Sequence, residues 1–177
     1  GLGEINQALP PAADPYALPD LRTVYTEYDP DEANRLLDEM GLDQRDSEGF
    51  RLTADGSRLS FTLPVLGGQG VADRAYEILA EYWRELGIEV AVNFMPSETW
   101  VAMVRAGEHV AAGYLTATIQ WVVDPIWFVP TNDTAYYAPL SGLYYATNGE
   151  RGVEPQGEML QLQQIFDQMK ATNDPEE

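Results

Sequence analysis

The spacing of apolar residues along the chain changes between the period of a helix and the period of a strand. Helices are predicted where apolar residues recur every three to four positions, over 30–40, 71–86, 97–106 and 156–171. Strands are predicted where apolar residues run together or alternate, over 59–65, 88–94 and 110–116. Because strands and helices alternate from residue 59 onward, the sequence predicts an α/β fold with a partly parallel sheet.

Short signals mark the ends of these elements. Asp29 is followed by Pro30 and, three residues after the aspartate, by Glu32, which is the pattern of a capped helix start. Gly41 is then predicted to end the helix, because glycine readily adopts the left-handed conformation of a C-terminal cap. The pair Asp55-Gly56, placed between two short apolar runs, predicts a hairpin.

The periodicity fades between Tyr114 and Tyr145, while aromatic residues become frequent. We therefore expect a long irregular aromatic loop, and loops of that length usually carry a function. The proline-rich residues 1–28 are predicted to form a linker that leads into a single α/β domain over residues 29–177. The sequence 173–177 repeats the capping pattern of Asp29 without a helix after it, so we expect the chain to be a truncated piece of a longer protein.

The charge balance narrows the class of partner. The chain of 177 residues has 29 acidic and 10 basic residues and a formal net charge of −19. Such a surface repels phosphate backbones, and nucleic acid is therefore not an expected partner. The sequence contains no cysteine, which excludes disulfides and thiolate ligands, and no apolar stretch approaches the length of about 18 residues typical of a membrane span.

Catalytic and metal-binding motifs are weak. His109 is the single histidine, and no Gly-x-Ser-x-Gly motif accompanies it. A small hydrolase-like enzyme that uses His109 with a carboxylate remains an alternative, but we expect no metal and no cofactor. The loop 67–70 lacks the lysine of a phosphate-binding loop. Its position after a strand makes Gln69 a candidate ligand contact, because ligands of α/β sheets lie outside the carboxyl ends of the strands.

The aromatic loop holds the other candidate ligand contacts. Trp121 and Trp127 flank Asp124, and Tyr114 precedes them at the end of the last predicted strand. Aromatic faces stack on sugars or on apolar side chains, and a carboxylate in that setting can accept hydrogen bonds from an amine or a hydroxyl group. Two alternatives stay open: the rings pack the loop onto the sheet, or they form a docking patch for another protein.

Three segments together carry a resemblance to a known family. They are the run Tyr28-Asp29-Pro30 with its helix up to Gly41, the Asp55-Gly56 hairpin before the strand at 59–63, and the helix end at 82–90. Their order and spacing resemble the second lobe of the bacterial family 5 extracellular solute-binding proteins. That family includes the oligopeptide-, dipeptide- and nickel-binding components of ABC importers.

The resemblance implies a periplasmic-binding-protein-like lobe that binds a small solute, a peptide or a sugar, and is not an enzyme. Its partners would be the missing first lobe of the same chain and an ABC permease. The implied location is periplasmic or extracellular, and membrane-associated in the full-length form. In peptide-binding members, a Trp-x-x-Asp segment carries an aspartate that pairs with the amino terminus of the peptide. Residues Trp121 to Asp124 match this sequence pattern. Counted from Gly107, however, the aspartate of the family would fall near Ile119, so a non-peptide solute stays open.

Overall fold

The computed structural model describes residues 5, 7, 17–114 and 125–172. The chain divides into two compact units. The first unit comprises residues 1–7, 20–100 and 109–116, and the second comprises residues 8–19, 101–108 and 117–177. The boundary predicted between a linker and a domain at residue 29 stays a prediction.

The first helices begin and end largely at the residues that the sequence indicates. A short helix α1, Pro19–Arg22, lies within the predicted linker, where no regular element was expected. Helix α2, Pro30–Glu39, is capped by Asp29, whose carboxylate accepts a hydrogen bond from the Glu32 N–H at 2.9 Å. Gly41 follows the helix with a φ of +82°, as expected for a C-terminal cap.

A small parallel sheet forms the centre of the first unit. Strand β1, Ser60–Leu66, pairs with strand β2, Glu89–Met95, in a register that aligns Ser60 with Glu89. Helix α3, Val71–Glu85, connects the two strands. Leu63 and Val65 of β1 are buried, as is Phe50 before it. The predicted α/β fold with a partly parallel sheet is confirmed.

The predicted strand over 110–116 is reduced, within the described residues, to one bridge between Gly113 and Val65. The Gly113 N–H donates to the Pro64 carbonyl at 2.8 Å, and the Leu66 N–H donates to the Gly113 carbonyl at 3.0 Å. To extend this parallel pairing toward residue 111, residue 64 would have to donate its N–H to the carbonyl of residue 111. Residue 64 is a proline and has no N–H. The prediction of a full strand is therefore wrong for 110–114, and residues 115 and 116 lie outside the described residues.

The predicted hairpin is confirmed in a short form. Leu52 and Arg58 form an antiparallel bridge around the Asp55-Gly56 turn, and the Thr53 N–H donates to the Ser57 carbonyl at 2.8 Å. Gly56 has a φ of +83°, a conformation that favours glycine at this position of the turn.

Four further elements complete the described chain. They are helix α4, Ser97–Ala106, a 3-10 turn, Pro125–Trp127, helix α5, Pro139–Ala146, and helix α6, Gly157–Ala171. Helix α5 begins within the segment 114–145 that the sequence predicts to be irregular, and Pro139 starts it at a position where the missing N–H costs nothing. None of the helices among the described residues is long and apolar enough to cross a membrane.

The second unit packs around Val129 and Ala135, which are buried. Gln163 of α6 is buried with them, and its side-chain amide donates to the Pro130 carbonyl at 2.8 Å and to the Ser141 carbonyl at 3.2 Å. A neutral side chain of α6 thus holds both the loop before α5 and α5 itself.

Candidate functional site

The loop that contains Gln69 follows the carboxyl end of β1 and leads into α3. The Gly68 N–H donates to the Asp73 carboxylate at 3.1 Å, and the Gln69 N–H donates to it at 3.2 Å. Asp73 lies in the first turn of α3, so a carboxylate of the protein itself occupies the positive end of the helix. The two amides are therefore engaged within the protein, and the partly buried side chain of Gln69 remains the candidate contact.

Tyr114 lies at the same end of the sheet, directly after the residue that bridges to β1. Its ring stacks on the indole of Trp100, with ring centroids 5.3 Å apart and an interplanar angle of 24°. Trp100 is 3% exposed, whereas Tyr114 is 37% exposed. A buried indole therefore supports an aromatic ring that solvent can reach.

Gly113 permits the close packing that places this ring. A Cβ atom at Gly113 would lie 2.7 Å from the Tyr76 Cε1 atom and 2.9 Å from the Val65 Cγ2 atom. The phenol of Tyr76 thus packs directly on the backbone before Tyr114. Burial raises the pKa of Tyr76, a hydrogen bond with the Tyr114 backbone lowers it in part, and the charge of Asp73 raises it. The phenol is therefore neutral at physiological pH.

Trp127 belongs to the second unit and lies at the end of the 3-10 turn. It stacks on Tyr136, with ring centroids 4.1 Å apart and an interplanar angle of 20°. The hydroxyl of the nearby Tyr137 donates to the Phe128 carbonyl, and burial raises the pKa of Tyr137. These contacts close the segment 125–137 on itself, and Trp127 is partly buried within it.

The predicted ligand contacts thus fall into three groups. Gln69 and Tyr114 lie in the first unit, at the carboxyl end of β1, and Trp127 lies in the second. Trp121 and Asp124 lie outside the described residues, so their roles stay predictions. In the described part of the chain, no group of three or more His, Asp or Glu residues is placed to hold a metal ion.

Sequence reasoning missed two residues of this region, Trp100 and Tyr76. Trp100 lies in α4, and the apolar face of that helix predicts that Trp100 is buried but not which side chain it contacts. Tyr76 lies in α3, where the sequence likewise does not name its partner. A signal was present in Gly113, because a glycine within a predicted strand often marks the close approach of another group. The sequence does not indicate which side chain makes that approach.

Comparison with known proteins agrees with this architecture. The oligopeptide-binding protein OppA of Lactococcus lactis subsp. lactis (strain IL1403) is 28% identical to this chain over 99 residues. These residues cover 54% of this chain and 16% of that protein. A solved structure of an oligopeptide-binding protein OppA matches with a TM-score of 0.81 and 28% identity, over 99% of this chain and 30% of the other. The present chain therefore spans well under half the length of these relatives.

A more distant structure has the same fold. The periplasmic binding protein MelB of Agrobacterium fabrum C58, solved in complex with stachyose, matches with a TM-score of 0.67 and 18% identity, over 85% of this chain and 22% of the other. The profile of the bacterial extracellular solute-binding proteins, family 5 Middle, matches residues 1–138. This match covers most of the chain and confirms the resemblance seen in the sequence: the chain belongs to the family 5 bacterial extracellular solute-binding proteins.

Proposed function

We propose that this chain is a ligand-binding lobe of an ABC-importer solute-binding protein. The observation that carries the proposal is the stacked pair of Tyr114 and Trp100 at the carboxyl end of β1, where α/β folds place their ligands. An exposed ring on a buried aromatic support is suited to a sugar face or an apolar side chain. Membership of a family of solute-binding proteins supports binding rather than catalysis as the role of the chain.

The solute would be held between this lobe and a first lobe in the same, longer chain. The match to the OppA structure covers 30% of that protein, which leaves ample chain for a second wall of the cleft. The protein would act in the periplasm or outside the cell, associated with the membrane in its full-length form, and would deliver the solute to an ABC permease.

The proposed solute is a peptide or an oligosaccharide. The relatives support both classes, since OppA is an oligopeptide-binding protein by name and MelB was solved with stachyose. The proposed contacts in the first unit are Tyr114 and Gln69. Trp121, Asp124 and Trp127 are proposed as the contacts from the aromatic loop, with Asp124 accepting hydrogen bonds from an amine or from hydroxyl groups.

Calorimetry tests the two-lobe proposal directly. The full-length protein that contains this sequence is titrated with a nonapeptide and with stachyose, and the titrations are repeated with residues 1–177 alone. We expect one of the two solutes to bind the full-length protein, and the isolated chain to bind it at least about 100-fold more weakly, because half of the contact surface is absent. Equal affinity in the isolated chain contradicts the two-lobe arrangement, and no binding of either solute contradicts the proposed solute classes.

A substitution in the full-length protein tests the site. Tyr114→Ala is expected to weaken binding by about tenfold, since a lost aromatic contact is worth on the order of 1 kcal/mol. The matched control is Tyr25→Ala, because Tyr25 is 92% exposed and is not a proposed contact. Trp121→Ala and Trp127→Ala test the loop in the same way. If Tyr114→Ala, Trp121→Ala and Trp127→Ala all bind as the control and the unaltered protein do, the proposed site is wrong.

A further inference from the structure

We propose that Trp100 is a positioning residue, which holds the ring of Tyr114 in place as a preformed stacking surface for the solute. The inference rests on the proposed function, and it adds a residue that makes no contact with the solute itself. Trp100 is 3% exposed, so its indole acts on a solute only through the ring that covers it. The interplanar angle of 24° makes the two rings nearly parallel.

The backbone on both sides of the pair is fixed. Trp100 lies in the first turn of α4, where its N–H donates to the Pro96 carbonyl at 3.0 Å, directly after β2 ends at Met95. Tyr114 follows Gly113, whose N–H and carbonyl are both bonded to β1. The backbone positions are thus set by the sheet, and the orientation of the Tyr114 ring depends on the contacts of its side chain, among them the stack on Trp100.

That orientation is what the indole restricts. Tyr114 is 37% exposed, and fixing a tyrosine side chain when the solute binds costs conformational entropy. Stacking on a buried ring imposes the restriction before the solute arrives, which strengthens binding without a new contact. An aromatic ring is a flat apolar surface, which suits a sugar face or a planar side chain.

Two substitutions separate positioning from general packing. Trp100→Phe keeps an aromatic face behind Tyr114, whereas Trp100→Leu keeps apolar bulk without such a face. In the full-length protein we expect Trp100→Leu to weaken the binding of stachyose or of the nonapeptide by about fivefold to tenfold, and Trp100→Phe to restore affinity to within about threefold of the unaltered protein. The matched control is Trp83→Leu, because Trp83 packs on Phe61 with ring centroids 5.4 Å apart and is not part of the stacked pair.

A measurement on the ring itself gives a second readout. Aromatic NMR spectra of the full-length protein are expected to show Tyr114 ring protons shifted upfield by the indole, and to lose that shift in Trp100→Leu but not in Trp83→Leu.

The inference is overturned if Trp100→Leu binds as tightly as the unaltered protein, or if Trp83→Leu weakens binding as much as Trp100→Leu does. If the unaltered protein binds neither solute, the proposed function fails and the inference fails with it. If the unaltered protein binds stachyose or the nonapeptide and Trp100→Leu binds it equally well, the inference is wrong while the proposed function stands.

Discussion

Each of the two units contains a buried polar side chain that donates to backbone carbonyls, but the two side chains differ in charge. In the first unit this residue is Arg51, 1% exposed, whose guanidinium donates to the Leu86 carbonyl at 2.8 Å and also to the Leu42 carbonyl. In the second unit it is Gln163, 4% exposed, which donates to the carbonyls of Pro130 and Ser141.

The difference follows from what each side chain caps. Leu86 is the C-terminal cap of α3, where carbonyls lack partners within the helix and carry the negative end of the helix dipole, and Leu42 lies in the turn that follows α2. A cation suits this helix end, and the Asp38 carboxylate pairs with the same guanidinium at 2.5 Å. The carbonyls bonded by Gln163 belong to a loop and to the first turn of α5, where a neutral amide suffices. The charge of the buried group thus matches the carbonyls around it.

Removing the charged group is expected to have the largest effect. Arg51→Met should lower the free energy of unfolding by about 4 kcal/mol, because the carbonyls of Leu42 and Leu86 lose a buried cationic donor and Asp38 loses its ion-pair partner. Urea denaturation followed by circular dichroism measures the loss. The matched control is Arg45→Met, since Arg45 is exposed but also donates to the Leu86 carbonyl, at 3.1 Å. It should cost less than about 1 kcal/mol, and equal losses would show that burial of Arg51 is not what matters.

The close packing in the second unit gives the next largest effect. A Cβ atom at Gly142 would lie 2.0 Å from the Asn132 carbonyl oxygen, and backbone atoms cannot move aside as a flexible side chain can. Gly142→Ala should therefore destabilise the protein by about 3 kcal/mol in thermal unfolding. Ser141→Ala, one residue earlier in α5, should change stability by less than about 0.5 kcal/mol. A mild effect at Gly142 would mean that the second unit adapts more readily than the first.

Removing the neutral group is expected to cost less than removing the charged one. Gln163→Met keeps most of the side-chain volume and leaves two carbonyls without this donor, so it should cost about 1 to 2 kcal/mol in the same urea experiment. A loss as large as that of Arg51→Met would refute the proposed contrast between the two units.

The smallest expected effect is the change in stability that Asp55 contributes as the pH falls. Hydrogen bonds from the hydroxyls of Thr53 and Ser57 and from the Ser57 N–H lower the pKa of Asp55 from its ordinary value of 3.8 to about 2. A lowered pKa in the folded state stabilises the protein above the unfolded value, and this stabilisation is lost as the pH falls from about 4 to about 2. The stability difference between the unaltered protein and Asp55→Asn should therefore shrink over that range. The cost of Gln163→Met should stay constant there, because an amide does not titrate.

Much of the first unit could be predicted because its signals are local. The cap of Asp29 on Glu32 spans three residues, and the glycine at position 41 acts on the helix that it directly follows. The bridge at Gly113 could be predicted only in part, since the missing N–H of Pro64 matters only once it is known which edge of β1 faces residue 113.

The candidate site shows the same division. The sequence by itself determined the α/β order, the cap of α2 at Asp29, and that Gln69 follows β1 at the end where α/β folds bind ligands. The tertiary structure decided that Trp100 lies behind Tyr114, that Trp127 stacks on Tyr136, and that Asp73 engages the amides before α3. The physical reason is distance along the chain: a cap is a hydrogen bond between near neighbours, whereas the burial of a ring depends on segments that only the folded chain brings together.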